Sequence, residues 1–368
     1  MLAAAGARRA LVGGVALALA SGLGTLLALE AACRVRSRLA GRPEPDAAPR
    51  RPSALERGRA AGLGDIVRTS RNPDIVYELR PGLDVTFLGR RLSTSAAGFR
   101  DREYQPAKPP GVHRILGLGD SVMFGWGVAD GEDYLSRVEE RLAEEQPLER
   151  WQVINMAVPG YNAVMEVETL HERGLAYGPD LVIVGFCGND MRLPNFLRAP
   201  EDFLALDRSY LFDFVRSRLG GADLEDSDAS LAPLTIRGPD RDMVPPRYAH
   251  MVGLAAYERS MQRLRETKQR EGFEVVVLFY PGPAKGVAPI VRRLGFRVLS
   301  LATRVRSFLR EQGGREAGYA KLRLSSRDPH PSPVGHRLIA DGLVAYLDES
   351  GLRARLAARG GPGEHRRP

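Results

Sequence analysis

The sequence predicts a three-layer α/β/α domain around a mostly parallel sheet of five strands, preceded by a single N-terminal transmembrane helix. Beyond Pro110, five short apolar runs, Arg114–Leu118, Trp151–Val158, Leu181–Phe186, Phe273–Tyr280 and Phe296–Leu301, are separated by stretches of helical character. Such runs suit strands covered on both faces, and strands that alternate with helices build parallel sheets. Near the N-terminus, twenty uncharged residues from Ala10 to Leu29 stand between Arg8-Arg9 and a basic run at Arg34, Arg36, Arg38 and Arg42. As a helix that segment would rise about 30 Å, the depth of a bilayer's hydrocarbon core.

In chain order, residues 1–40 are expected to form the anchor and its basic flank. Ala18-Leu19-Ala20 has the small-x-small form of a cleaved signal, but the uncharged run continues to Leu29, which favours an uncleaved anchor. A lipid-attachment site at Cys33 is disfavoured by Glu30, which stands where an aliphatic residue is wanted. Residues 41–75, rich in Pro, Ala, Arg and Gly without apolar periodicity, predict a linker. The main domain is expected over 76–350. It opens on an extension at 76–110, whose weak alternation and Pro81-Gly82 suggest a short strand pair. Helices are expected at about 131–145, 163–176, 251–271, 301–312 and 333–348. The interval 191–250 is longer than a crossover needs and carries an apolar-aromatic segment at Ser209–Leu219, which makes it a candidate lid. The basic tail at 351–368 is expected to be loose.

Composition narrows the function classes. The 368 residues carry 53 Lys and Arg against 45 Asp and Glu, a net charge of +8, yet only four of the basic residues are lysines and the arginines are spread along the chain. Without a basic stripe or a recognition motif, this reads as a solvated surface and not as a nucleic-acid interface. The two cysteines, Cys33 and Cys187, cannot build a disulfide framework, and neither sits at metal-ligand spacing. Asp328, His330 and His336 likewise match no metal-ligand spacing, so no metal or other cofactor is expected.

The chemistry gathers at the expected strand ends. The first strand runs into Gly117-Leu118-Gly119-Asp120-Ser121-Val122. Val122 breaks the G-x-G-x-x-G dinucleotide pattern, no Walker-type loop occurs, and Met123 breaks the G-x-S-x-G elbow. Gly-Asp-Ser at a strand end remains. A serine hydroxyl becomes a useful nucleophile when an imidazole takes its proton during attack, which contributes on the order of 10²–10⁴-fold. Ser121 and His330 are the candidate pair. Taken singly, Ser121 could be a helix cap, Gly160 a turn glycine and Asn189 a loop residue. His336 is expected to be structural, and Cys187 a small buried hydrophobe.

Four blocks in order carry a resemblance. Gly119-Asp120-Ser121, Asn155 to Asn162 with Pro159-Gly160 at its centre, Cys187-Gly188-Asn189-Asp190, and Asp328 to His336 around His330 together resemble the SGNH, or GDSL, hydrolase superfamily. The resemblance covers about 76–348 and implies a flavodoxin-like fold. It also implies a serine-dependent esterase acting on an O-acyl or O-acetyl ester of a lipid or carbohydrate. An oxyanion hole would come from the Ser121 and Gly160 N–H groups and the Asn189 amide. An O-acyltransferase would use the same residues, and a non-catalytic, membrane-anchored binding protein of this fold is the alternative from another class. Anchored members of the superfamily imply a domain outside the cytoplasm, although the arginines after Leu29 argue for the opposite orientation.

Two departures stand out. Cys187 replaces the usual first glycine of its block, and Arg327 stands where the D-x-x-H pattern places its carboxylate. An arginine cannot accept an imidazole N–H. Asp328, two residues before His330, is the expected orienting acid, with a backbone carbonyl as the alternative.

Overall fold

The computed structural model describes residues 21–35, 60–198, 211, 231–233, 244–282 and 286–359. The chain divides into two compact units, residues 49–198 with 228–368, and residues 1–48 with 199–227. In the larger unit, strands β1 (Val112–Gly119), β2 (Arg150–Asn155), β3 (Leu181–Phe186), β4 (Glu274–Phe279) and β5 (Arg297–Ser300) form one sheet. All its neighbours pair in parallel, in the order β5-β4-β3-β1-β2. This is the flavodoxin-like order, whose topological switch point lies between β1 and β3.

The period of two along each strand separates two apolar layers. Leu181, Ile183, Val276 and Leu278 enter one layer, and Val182, Val184, Val275 and Val277 enter the other. The first layer is closed by Leu135, Val138 and Leu142 of α2 (Tyr134–Glu145), Val305 and Leu309 of α6 (Ala302–Glu311), and Leu338, Ile339 and Leu343 of α8 (Pro333–Glu349). The second is closed by Val167 of α3 (Ala163–Thr169), Met261 and Leu264 of α4 (Leu254–Glu271), and Ile290 and Val291 of α5 (Val287–Arg293). Each such side chain contributes about 1.5–3 kcal/mol on burial. Further helices are α1 (Ser121–Phe124), α7 (Arg315–Leu322) and α9 (Leu352–Arg359), and a single helical turn covers Leu63–Ile66. Caps fix the starts: Asp133 accepts from the Leu135 and Ser136 N–H groups, and Ser332 accepts from Gly335 ahead of Pro333 at the first turn.

The expected strand pair is Asp84–Phe87 with Arg90–Ser93, antiparallel. It turns at Leu88-Gly89, both at positive φ (51° and 73°), as a two-residue hairpin with the sheet's own twist requires. A second antiparallel pair joins Val67–Thr69 to Tyr77–Leu79.

Three expectations need correction. The predicted transmembrane helix is not found: among the described residues, no helix is long and apolar enough to cross a membrane. Residues 21–35 are helical, and residues 10–20 of the expected span lie outside the described residues. A helix of that described length rises only about 22 Å. Uncharged is also not the same as apolar, since Ser21, Gly22, Gly24 and Thr25 fall within it and Glu30 and Arg34 close it with an ion pair at 2.7 Å. The linker reading fails over 60–75, where Ile66, Val67 and Ile75 are buried in the core. The tail reading fails over Leu352–Arg359, a helix whose Leu352 and Leu356 are buried one turn apart. Most of the candidate lid lies outside the described residues; of its described parts, Phe196–Arg198 pairs with Leu231–Pro233 and Pro246–Met251 forms a 3₁₀ turn.

Candidate active site

β1 delivers Ser121 through a tight turn. Asp120, buried, caps α1 by accepting from the Val122 N–H at 3.0 Å. Asp120 is therefore the cap, and Ser121 is the first helical residue. A Cβ on Gly119 would lie 2.8 Å from the Met123 Cβ, so only glycine lets the strand pass so close to the helix that follows it.

The segment ahead of α8 brings the histidine to the serine. Arg323 and Pro331 form an antiparallel bridge, and the Leu324 N–H donates to the His330 carbonyl at 2.9 Å. Inside that loop, the Asp328 N–H donates to the Ser325 hydroxyl at 3.0 Å. His330 Nε2 then lies 2.8 Å from Ser121 Oγ, and its Nδ1 lies 2.6 Å from Asp328 Oδ1. The same Oδ1 accepts the His330 backbone N–H at 3.1 Å. A carboxylate can only accept, so Nδ1 carries the proton and Nε2 presents its lone pair to the serine hydroxyl. Burial alone would raise the Asp328 pKa, but the His330 N–H, the imidazole and the Trp126 side chain together hold it below the ordinary carboxylate value. Asp328 thus supplies the carboxylate that Arg327 cannot. The Trp126 ring stacks on the imidazole, with centroids 5.3 Å apart and 24° between planes.

The expected oxyanion donors sit on the loops after β1, β2 and β3. Gly160 has φ +80°, and a Cβ there would come within 2.3 Å of the Asn195 side chain. Among the described residues, no acceptor engages the Ser121 or Gly160 N–H. Asn189 Nδ2 donates one of its two hydrogens to the Tyr161 carbonyl at 3.1 Å, which leaves the other to donate elsewhere. The Pro159-Gly160 turn is held from outside the four blocks. Tyr77 Oη donates to the Pro159 carbonyl at 2.8 Å, and Tyr161 Oη donates to the Tyr77 carbonyl at 2.6 Å.

Beneath these loops lie three buried carboxyls. Burial first pushes Glu166 and Asp190 above the ordinary range, followed by the charge of Asp120 on Glu166 and of Glu166 and Asp120 on Asp190; burial does the same to Asp120 against the bonds it accepts. Burial, followed by the nearby Asp120 carboxylate, pushes the Cys187 thiol pKa up, which makes it a poor nucleophile. His336 is fully buried, accepts from the Tyr134 N–H through Nδ1 and stacks on Tyr134, a structural role. Among the described residues no group of His, Cys, Asp or Glu could hold a metal ion. Two cavities, of about 680 Å³ between α6 and α8 and about 600 Å³ beside Arg100 and Trp151, are lined by none of the site residues.

Sequence reasoning missed Trp126 and Tyr77. Trp126 stands between Gly125 and Gly127, both at positive φ, which marks a shaped loop but not what the ring touches. Tyr77 carries no local signal of its bond to Pro159.

Known proteins extend this picture. Among solved structures, the chain is similar to a lipase/acylhydrolase from Enterococcus faecalis, at 15% identity over 69% of this chain and all of that one, with a TM-score of 0.39. It is also similar to TesA, at 14% identity over 64% of this chain and 99% of that one, with a TM-score of 0.39. A third is the acetyl xylan esterase Axe2 from Geobacillus stearothermophilus, at 16% identity over 65% of this chain and 94% of that one, with a TM-score of 0.38. No curated protein matches significantly. The model of the GDSL-like lipase/acylhydrolase family matches residues 118–338, from the last turn of β1 into α8. Because that match takes in more than half of the chain and all four blocks, the protein belongs to the GDSL-like lipase/acylhydrolase family and is a carboxylic ester hydrolase.

Proposed function

We propose that this enzyme cleaves an O-acyl or O-acetyl ester by transient acylation of Ser121. The observation that carries the reading is the unbroken relay from Ser121 Oγ to His330 Nε2, at 2.8 Å, and from His330 Nδ1 to Asp328 Oδ1, at 2.6 Å. Ser121 Oγ attacks the ester carbonyl carbon while its proton passes to His330 Nε2. The carbonyl oxygen becomes an oxyanion that would be received by the Ser121 and Gly160 N–H groups, with Asn189 as the third donor. When the C–O bond breaks, the leaving alkoxide takes the proton from His330 and departs as the alcohol. Water then gives a proton to His330, attacks the acyl carbon, and Ser121 Oγ regains the proton as the carboxylic acid leaves.

A fluorophosphonate probe tests the nucleophile. Wild-type protein should be labelled at Ser121 and should hydrolyse p-nitrophenyl acetate, and Ser121→Ala should lose both while melting at the same temperature. Hydrolysis at the wild-type rate by Ser121→Ala would refute the serine mechanism.

A further inference from the structure

We propose that Trp126 is a positioning residue that holds the His330–Asp328 pair and favours the imidazolium as it forms; this rests on the serine-hydrolase reading above. Two observations of different kinds support it. The indole stacks on the His330 imidazole, 5.3 Å between centroids and 24° between planes, and the Trp126 side chain helps to hold the Asp328 carboxyl below its ordinary pKa. Indole has a single donor, its Nε1–H, and this is the group through which the ring that covers the base can act on the acid that orients it. A ring face carries negative potential and attracts a cation lying over it. The imidazole gains positive charge as it takes the proton of Ser121 during attack, so this attraction strengthens toward the transition state.

The neighbourhood fixes the ring in place. Phe87 meets Trp126 edge to face at 5.1 Å and 88°. A Cβ on Gly127 would lie 2.4 Å from Leu324 Cδ1, so the Trp126 loop lies directly on the loop that carries Asp328 and His330. Asp328 needs such support. It lies only two residues before His330, and its side chain is 35% exposed, so water competes for the carboxylate. An indole that covers the ring limits that competition.

The test uses the full chain, with the rate constant of fluorophosphonate labelling at Ser121 and the kcat and KM of p-nitrophenyl acetate hydrolysis as readouts. Trp126→Phe keeps an aromatic face but a weaker one, without the N–H; it should slow labelling and lower kcat about fivefold, with KM within about twofold. Trp126→Ala should cost more. In an Asp328→Asn background, Trp126→Phe should cost only about twofold, because the carboxylate it acted through is gone. The same loss in both backgrounds, a change in KM alone, or no loss would overturn the proposal. Should Trp126→Ala fail to fold, the Phe substitution in the two backgrounds still decides. Absence of labelling in the wild-type protein would overturn the serine reading and this inference with it, whereas a labelled wild type with an unaffected Trp126→Phe overturns this inference alone.

Discussion

Asp328→Asn removes the carboxylate charge with the least change of shape, and its cost follows from the geometry. In buried triads the equivalent change costs about 10⁴ in kcat. Here both bonds from His330 converge on one oxygen, Oδ1, at 2.6 and 3.1 Å, so an asparagine that places its oxygen there keeps both and keeps the tautomer. The loss is then chiefly the attraction between carboxylate and imidazolium. Two unit charges 4 Å apart attract by about 4 kcal/mol near a protein surface and about 1 kcal/mol in water. With Asp328 35% and His330 25% exposed, the pair falls between those limits. At about 1.4 kcal/mol per decade, an intermediate 2–4 kcal/mol corresponds to roughly 30- to 10³-fold in kcat. Hydrolysis of p-nitrophenyl acetate, with His330→Ala as the floor and thermal melting as the control for folding, measures it. A loss under tenfold would refute the role and leave a serine–histidine dyad. A loss accompanied by a large fall in melting temperature would show that Asp328 serves the loop and not the imidazole.

Other outcomes follow from single contacts. Gly160→Ala puts a side chain at φ +80° and against Asn195, so kcat should fall about 10²–10³-fold; a second change, Asn195→Ala, should restore only the part due to crowding. An unchanged kcat would remove the Gly160 N–H from the site. Tyr77→Phe leaves the Pro159 carbonyl without its donor and should cost about 1–3 kcal/mol in urea unfolding, with a fall in kcat that Tyr161→Phe shares. Burial pushes Asp101 up to about 7, against the bond from the Asn155 N–H. The folded state therefore holds that proton more tightly than the unfolded chain, whose value is about 4, so the contribution is complete below about pH 4 and is lost as pH rises through 7. Urea unfolding at pH 5 and pH 8 should show a smaller difference in Asp101→Asn than in wild type, and equal differences would refute it.

How much was legible depended on the range of the interaction that fixes each feature. β3 could be read because Leu181–Phe186 is buried at every position, and the blocks at strand ends led to Ser121, Asn189 and His330 because a parallel sheet gathers those ends. The residues between 60 and 75 were read as linker because their elements are one turn or three residues long, too short for any period to show. In the C-terminal helix the spacing of Leu352 and Leu356 was present, but basic composition outweighed it. Asp328 could be named because Arg327 is chemically unfit, yet only the fold shows that a carboxylate two residues before the histidine reaches Nδ1. Trp126 and Tyr77 were beyond reach, since each acts on a residue at least 82 positions away and nothing beside it in sequence records the partner.

Those two residues bear on where the catalytic unit begins. The family match starts at 118, inside β1, yet Tyr77 and Phe87 precede it and each meets a loop that flanks Ser121. In a parallel sheet the ladder fixes the strands, while the loops beyond their last residues are held only by what packs on them. The loops after β1 and β2 carry Trp126 and Gly160 respectively, and the extension touches both, Trp126 through Phe87 and the Pro159-Gly160 turn through Tyr77. Misplacing a catalytic group by about 1 Å costs about 10²-fold in rate, a tolerance finer than loose loops hold. On the serine-hydrolase reading proposed above, the segment before β1 therefore belongs with the catalytic loops, and the distance between base and proposed oxyanion donors depends on residues that none of the four blocks contains.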